Sequence, residues 1–583
     1  MRMPALFFAL FAFSLPAAAE KFFSSQVSPQ AMAAFAARDA GRSTKSENWM
    51  VAAANPLAAE AGAGVLRTGG TAADAMVAVQ AVLGLVEPQS SGFGGGAFLV
   101  WYDAATGQVT TLDGREAAPL GVTPGLFLDE AGQPLKFFDA VVGGRSVGVP
   151  ATPALMEEAH KRWGSANWAG LFEDAIRLAS EGFPVSPRLA RSIESDAGRL
   201  ARFAKTAAYF MTADGTPKPA GTILKNHAYA LTSRAFAKDG ARVFYSGPLA
   251  ENIVATVQGA DGNPGVLDLT DLALYRVKER PAVCAPYREH QVCGMGPPSS
   301  GGLTVAQILG LLAPFDLAKL GPDSPESWRL IGDASRLAFA DRGRYMADSD
   351  FVPVPVKGLI DPAYLSGRAA LLRTETALPE VSPGDPSWDH GHLRTYADDE
   401  SLELPSTSHI SIVDSYGNAL SMTTTVENAF GSRLMAGGFI LNNELTDFSF
   451  RTHRAGQPIA NSVAPGKRPR SSMAPTIVLK DGKLVLVIGS PGGSRIIGYV
   501  AKTIIAHIDW GMDIQAAISL PHLSNRFGTY DLEPDAAQLK GPLEAIGFET
   551  NMRPLTSGLH GIAVGDGLEG GADPRREGIA LGE

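Results

Sequence analysis

The chain has 583 residues, more than one ordinary core accommodates, so two large parts are expected. With 45% hydrophobic and 19% charged residues, the composition is globular and excludes a disordered chain. A net charge of −10, with no long Lys/Arg run, excludes nucleic acid as a partner. Arg2, the apolar run Ala5 to Leu15 and the small residues Ala17-Ala18-Ala19 form a secretory leader, residues 1–19, cut before Glu20. That run is too short to span a bilayer, and no later stretch qualifies as a membrane span. Export to the periplasm in soluble form is the expectation.

Thr71 to Leu83 is apolar nearly all round and predicts a buried helix. Gly92-Phe93-Gly94-Gly95-Gly96 follows, then a strand-like Ala97 to Tyr102. The glycines lack the Gly-Lys-Ser/Thr ending of a phosphate loop, so close backbone packing is their expected role. Residues 151–375 read as largely helical, with strands near Val283 and Gln291 and a turn over 297–302. Cys284 and Cys293 flank Pro286 and a polar tip that reads as a β-hairpin. In an exported protein they either pair or remain two buried thiols, and their spacing fits no metal or redox motif. Residues 378–406 are rich in Pro, Asp, Glu and Ser and form a linker. Asp389-His390-Gly391-His392 inside it reads as solvated, and no metal is expected.

From residue 407 onward strands take over. Ser408 to Val413 alternates, Asp414 to Asn418 is a turn, and Leu420 to Thr425 alternates again. Thr476 to Leu479 and Lys483 to Ile488 pair across the turn Asp481-Gly482, and a helix is expected from Ile496 to Ile508. This order fits a layered α/β protein. With Tyr416 at the centre of the first turn, Val413 faces Ala419 and Thr407 faces Thr425. Two hydroxyls then meet where the strands leave the linker. Cross-strand threonine pairs are also ordinary sheet decoration, so geometry alone leaves both readings open. In Gly489-Ser490-Pro491-Gly492-Gly493-Ser494-Arg495 a buried strand gives way to a helix. N–H groups at such a junction suit an oxyanion; a plain turn is the alternative.

Together these motifs resemble the γ-glutamyltransferases. The resemblance runs from Val65-Leu66-Arg67-Thr68-Gly69-Gly70-Thr71-Ala72-Ala73-Asp74-Ala75 to Gly571-Ala572-Asp573-Pro574-Arg575. It is densest in Thr407-Ser408-His409, Leu441-Asn442-Asn443-Glu444, Asp447-Phe448-Ser449, Lys467 to Met473 and Gly489 to Arg495. It implies a four-layer αββα sandwich of the N-terminal nucleophile hydrolase type and a precursor that cleaves itself between Ser406 and Thr407. Residues 20–406 would form the large subunit, ending in the 378–406 linker, and 407–583 the small catalytic subunit, held together as a heterodimer. The implied reaction is hydrolysis or transpeptidation of γ-glutamyl donors such as glutathione through an acyl-Thr407 intermediate. Water, an amino acid or a dipeptide is the acceptor, and no cofactor takes part. Thr407 is the implied nucleophile. Its freed α-amine, ordinarily titrating near ~7.7–8.0, can accept the proton that an amide nitrogen cannot. Thr425 would orient it, and the Gly492 and Gly493 N–H groups would stabilise the oxyanion.

For the γ-glutamyl end, the resemblance implies Arg115 as the forked donor to the α-carboxylate, Ser471 and Ser472 as its hydroxyl partners, and Asp447 as acceptor for the α-ammonium. Without the resemblance, Arg115 beside Asp113 and Glu116 reads as a surface ion pair. Two acceptor positions depart from the pattern. Glu444 stands where well-known members carry Gln, and Glu427 where they carry Asn. Three acids facing one ammonium leave charge uncompensated in a closed site, so either one acid is protonated or Arg433 pairs with Glu427. Phe450 to Gly466, the counterpart of the family's active-site lid, is shorter than in enteric relatives. Two other readings compete. A cephalosporin (glutaryl) acylase would use the same nucleophile, but glutaryl lacks the ammonium that these acids would face. An inert exported binding protein would not need Thr407, Thr425, Arg115 and both glycines.

Overall fold

The structure is a computed structural model of the continuous chain and describes residues 22–388, 395–399, 401, 404 and 406–583. The expected leader over 1–19 and the Asp389–His392 stretch lie outside the described residues. Before residue 407 the chain contributes β1 (Thr44–Ser46), β2 (Met50–Ala53), β3 (Gly96–Tyr102), β4 (Val109–Gly114), β5 (Lys278–Arg280), β6 (Val283–Tyr287) and β7 (His290–Gly294). After it come β8 (Ser408–Val413), β9 (Ala419–Thr425), β10 (Thr476–Lys480), β11 (Lys483–Gly489), β12 (His560–Val564), β13 (Leu568–Ala572) and β14 (Ile579–Gly582). They build two seven-stranded sheets, ordered β1-β13-β12-β11-β10-β7-β6 and β14-β2-β8-β9-β3-β4-β5. Each sheet interleaves strands from before and after residue 407.

The sheets pack face to face over Met50, Ala52, Val100 and Val413 from one and Ile477, Leu479, Val487 and Ile562 from the other. Helices cover both outer faces, which completes four layers. Against the second sheet lie α1 (Pro56–Arg67) and α2 (Ala72–Val86), which share a core with Ile410, Ile412 and Leu420. Against the first lie α3 (Gly301–Leu312), α4 (Pro325–Tyr345) and α5 (Ile496–Ile508), packed on Val478, Leu486 and Ile488. All fifteen residues of α2 are buried, as its uniformly apolar sequence requires. Its start is fixed by a capping box between Thr71 and Asp74. The turn expected over 297–302 ends two residues early, because α3 begins at Gly301. Among the described residues no helix is long and apolar enough to cross a membrane.

Cys284 and Cys293 face each other across β6 and β7 and are joined by a disulfide. The stretch read as a linker is irregular where described, yet 395–399 is tied down. Ala397 bridges to Ile459, Arg344 pairs with Asp398, and Arg470 pairs with Asp399 at 2.9 Å.

Candidate active site

The β8–β9 hairpin places the threonine pair. Its register runs from Ser408 opposite Thr424 to Val413 opposite Ala419, with no slip. Side chains alternate along a strand. Ile410 and Ile412 therefore enter the helix-facing core, while His409 and Ser411 point to the other sheet, where Ser411 Oγ donates to His560 O. Thr407 precedes the first paired residue, and its Oγ1 lies 3.0 Å from Thr425 Oγ1. Both threonines are buried, 5% and 2% exposed. Thr407 has φ of 87°, a conformation that is a true outlier for a β-branched residue. Its carbonyl accepts from Arg576 Nη1 at 2.9 Å, and Ser406 Oγ donates to Gln89 O at 2.9 Å. The scissile-bond candidate is thus clamped on both sides.

The glycine run before β3 brings Thr425 into place. A Cβ on Gly95 would lie 1.8 Å from Thr425 O, and one on Gly94 would lie 2.0 Å from Ile440 O. Only glycine allows this approach of backbones. On the other side of the cavity the β11–α5 junction turns through Gly492 and Gly493, with φ of 140° and 60°. Gly493 lines the cavity; Gly492 sits one residue back, where a Cβ would meet the Tyr499 ring at 2.7 Å.

The cavity is walled by Thr407, Thr425, Gly493, Arg115, Glu427, Glu444, Asp447, Ser471 and Ser472, with Leu404, Met473 and Ile496. Residues scattered over more than 370 positions of sequence therefore converge on one space. Arg115 is no surface ion pair. It is 1% exposed, and its guanidinium donates to Glu444 through Nη1 and to Asp447 through Nη2, with further bonds to Pro469 O and Arg470 O. Burial alone would lower its pKa, but Glu444, Asp447 and Glu116 outweigh that and hold it charged. Ser471 Oγ accepts from Met473 N, and Ser472 Oγ accepts from Arg342 Nη2 at 2.7 Å.

Of the two ways to relieve the acid excess, pairing with Arg433 does not occur. Arg433, with φ of 65°, is buried against Asp196 and bonds it at 2.7 and 3.0 Å. Glu427 is instead held by Asn443 Nδ2. Burial, then the charges of Asp447 and Glu444, push its pKa well above the glutamate range, so protonation is the remedy the site favours. The sequence reading missed several neighbours: Asn443; Asn442, which accepts from Glu444 N; Asn461, which donates to Asp399 and Asp447 O; and Glu116. Asn442 and Asn443 lie inside motifs already quoted and Glu116 stands beside Arg115, but sequence does not show what each meets in the fold.

Two stacked sheets between helical layers, with a threonine hydroxyl pair at the head of a central strand, define the αββα class of N-terminal nucleophile hydrolases. A sequence model of the gamma-glutamyltranspeptidase family matches residues 58–583. The glutathione hydrolase proenzyme of Bacillus subtilis is 37% identical over 547 residues, 91% of each chain. That of Escherichia coli is 34% identical over 551 residues, again 91% of each. Among solved structures, the cephalosporin acylase from Bacillus halodurans superposes with a TM-score of 0.81 at 26% identity, covering 93% of this chain and 97% of that one. The chain belongs to the gamma-glutamyltranspeptidase family and is an enzyme of that type.

Proposed function

We propose that the protein hydrolyses and transfers γ-glutamyl groups of glutathione and related amides, after cutting itself between Ser406 and Thr407. The observation that carries this reading is the 3.0 Å contact of Thr407 Oγ1 with Thr425 Oγ1, in a cavity whose other wall is Arg115 with Glu444 and Asp447. In the precursor, Thr407 Oγ1 attacks the Ser406 carbonyl carbon. The peptide nitrogen leaves as the new α-amine, and water hydrolyses the resulting ester. In turnover that amine takes the Oγ1 proton as Oγ1 attacks the γ-carbonyl, and passes it to the departing amine. The oxyanion faces the Gly492 and Gly493 N–H groups; losing one such donor typically costs about 3–4 kcal/mol. Acyl-Thr407 is then relieved by water, an amino acid or a dipeptide.

Charge supports the choice of donor. Glu444 and Asp447 both pair with Arg115, one negative charge in excess of the guanidinium. An incoming γ-glutamyl head brings both signs: its α-carboxylate takes the guanidinium and the Ser471 and Ser472 hydroxyls, while its α-ammonium takes the two acids. Every charge keeps a counter-charge. A glutaryl group supplies no ammonium and would leave the acids unpaired, which weighs against the acylase reading despite the fold shared with the Bacillus halodurans enzyme. The interleaved strands support a heterodimer of 20–406 and 407–583 that stays associated, exported to the periplasm by the leader.

The test has two parts. A denaturing gel of purified protein should show bands of about 41 and 19 kDa, scaled from chain length, and Thr407→Ala a single band. The processed enzyme should release aniline faster from γ-glutamyl than from glutaryl anilide. The opposite order would overturn the substrate assignment.

A further inference from the structure

Glu116 is wholly buried, and as a carboxylate it has no hydrogen-bond partner at either oxygen among the described residues. A bare buried carboxylate is among the most costly groups a protein can hold. The fold nevertheless makes room for it. A Cβ on Gly96 would lie 2.2 Å from Glu116 Oε2, and one on Gly148 would lie 2.9 Å from Glu116 Cβ and 3.3 Å from Leu445. Glu116 and Leu445 of the 444–447 turn both crowd Gly148, and a second acid, Glu444, is within hydrogen-bonding reach of the Glu116 carboxyl, with the Arg115 charge also near. Two carboxylates repel; a carboxylic acid and a carboxylate share a strong hydrogen bond.

The other titratable neighbours do not supply the missing donor. Tyr275 gives its hydroxyl hydrogen to Arg115 O at 2.9 Å, and Tyr245 gives its own to Pro150 O at 3.0 Å. The guanidinium of Arg115 is taken by Glu444, Asp447, Pro469 O and Arg470 O. We infer that Glu116 is a neutral carboxylic acid whose proton is donated to Glu444, and that it is a positioning residue for γ-glutamyl recognition. It fixes Glu444 in the orientation that can accept the α-ammonium while sparing the site another negative charge. Burial and the neighbouring Glu444 charge push its titration upward and outweigh the opposing Arg115 charge, in keeping with this role. The proposal rests on the γ-glutamyl reading of the cavity.

The test uses processed enzyme carrying Glu116→Gln, which keeps a donor of the same shape but cannot ionise, and Glu116→Ala, which removes it. With γ-glutamyl anilide, Glu116→Gln should keep KM and kcat within about threefold of wild type. Glu116→Ala should raise KM by roughly 10–100-fold with a much smaller change in kcat, the usual range for losing a hydrogen bond to a charged group. At neutral pH the infrared spectrum should contain the carbonyl band of a protonated carboxylic acid that is weakened in Glu116→Gln. A spectrum unchanged by that substitution, or Glu116→Gln impaired as severely as Glu116→Ala, would overturn the inference. Should Glu116→Ala not fold, the Glu116→Gln spectrum and KM decide alone. If wild type itself fails to cleave the γ-glutamyl anilide, the functional reading is what fails, and the infrared band still decides whether Glu116 carries the proton.

Discussion

The backbone N–H of Glu427 donates to Thr425 Oγ1 at 2.8 Å, so the substrate-facing acid and the hydroxyl behind Thr407 are parts of one unit. This bond uses one lone pair of Thr425 Oγ1 and leaves its hydrogen free to donate toward Thr407 Oγ1, 3.0 Å away. A donor there stabilises the negative charge that develops on Thr407 as it attacks. Glu427 reaches the position with φ of 74°, rarely adopted outside glycine, which shows that the surrounding packing imposes it.

Thr425→Ala should therefore lower kcat for γ-glutamyl anilide by about 10–100-fold, the range for a hydrogen bond to a charged group. KM should move little, because Thr425 does not hold the γ-glutamyl head. Thr425→Ser should retain most of the rate. Counting active sites from the small-subunit band separates slow turnover from incomplete processing. Wild-type kcat in Thr425→Ala would remove Thr425 from the mechanism.

The φ of 87° at Thr407 makes a second expectation. This torsion is defined by the Ser406 carbonyl carbon, so it ceases to exist when the Ser406–Thr407 bond is cut. Strain of about 1–3 kcal/mol in the precursor is released by that step. Thr407→Gly and Thr407→Ala both lack the nucleophile and should both stay uncleaved. Glycine accepts this φ and alanine does not, so Thr407→Gly should be the more stable by about 1 kcal/mol and show the higher denaturant midpoint. An equal or lower midpoint would mean that the precursor is not strained there.

How far the sequence carried these conclusions depended on the distance between partners. The β8–β9 register was legible because the turn and the alternation are local, and Thr407 opposite Thr425 followed directly. So was α5, whose apolar run ends where the helix does. Arg115 was legible as a site residue only through the family motif; alone it reads as a surface ion pair, and its burial arises from the 444–470 segments folding over it. Sequence alone cannot decide between a protonated acid and an Arg433–Glu427 pair, since Asp196, the partner of Arg433, lies 237 positions away in a helical stretch with no motif. Glu116 reads only as a surface neighbour of Arg115 for the same reason: nothing in Leu112 to Glu116 reveals that Gly96, Gly148 and Glu444 will close around it.

Gly95 offers a check on the scaffold behind the threonine pair. With only 1.8 Å between an added Cβ and Thr425 O, Gly95→Ala must push β9 away or distort the loop before β3. Overpacking of this kind typically costs 1–3 kcal/mol, and backbone as the obstacle places it at the high end, about 3 kcal/mol. Because the displaced residue is Thr425, self-cleavage should slow along with the loss in stability. A pulse-chase gel and a thermal melt measure the two effects. Gly95→Ala with normal melting and normal processing would contradict the close approach.

Glu427 makes a prediction whose sign follows from linkage. Burial and the nearby Asp447 and Glu444 raise its pKa well above the glutamate range, against the opposing bond from Asn443, while in the unfolded chain it titrates as an ordinary glutamate. Above the ordinary glutamate pKa, and up to its own raised value, folding therefore takes up a proton at this side chain. Below the ordinary glutamate pKa both states are protonated and there is no cost. As pH rises above it the unfolded state ionises first, and the cost to folding grows until the folded-state pKa is passed, then stays constant. Glu427→Gln removes this term while preserving the volume and the oxygen that accepts from Asn443. The variant should therefore be more stable than wild type at about pH 7–8, by a margin that shrinks as pH is lowered toward about 4–5. Denaturant midpoints across that range measure the margin directly. A gap that is independent of pH, or a less stable variant, would mean that Glu427 is ionised in the folded protein and that the acid cluster is neutralised in some other way.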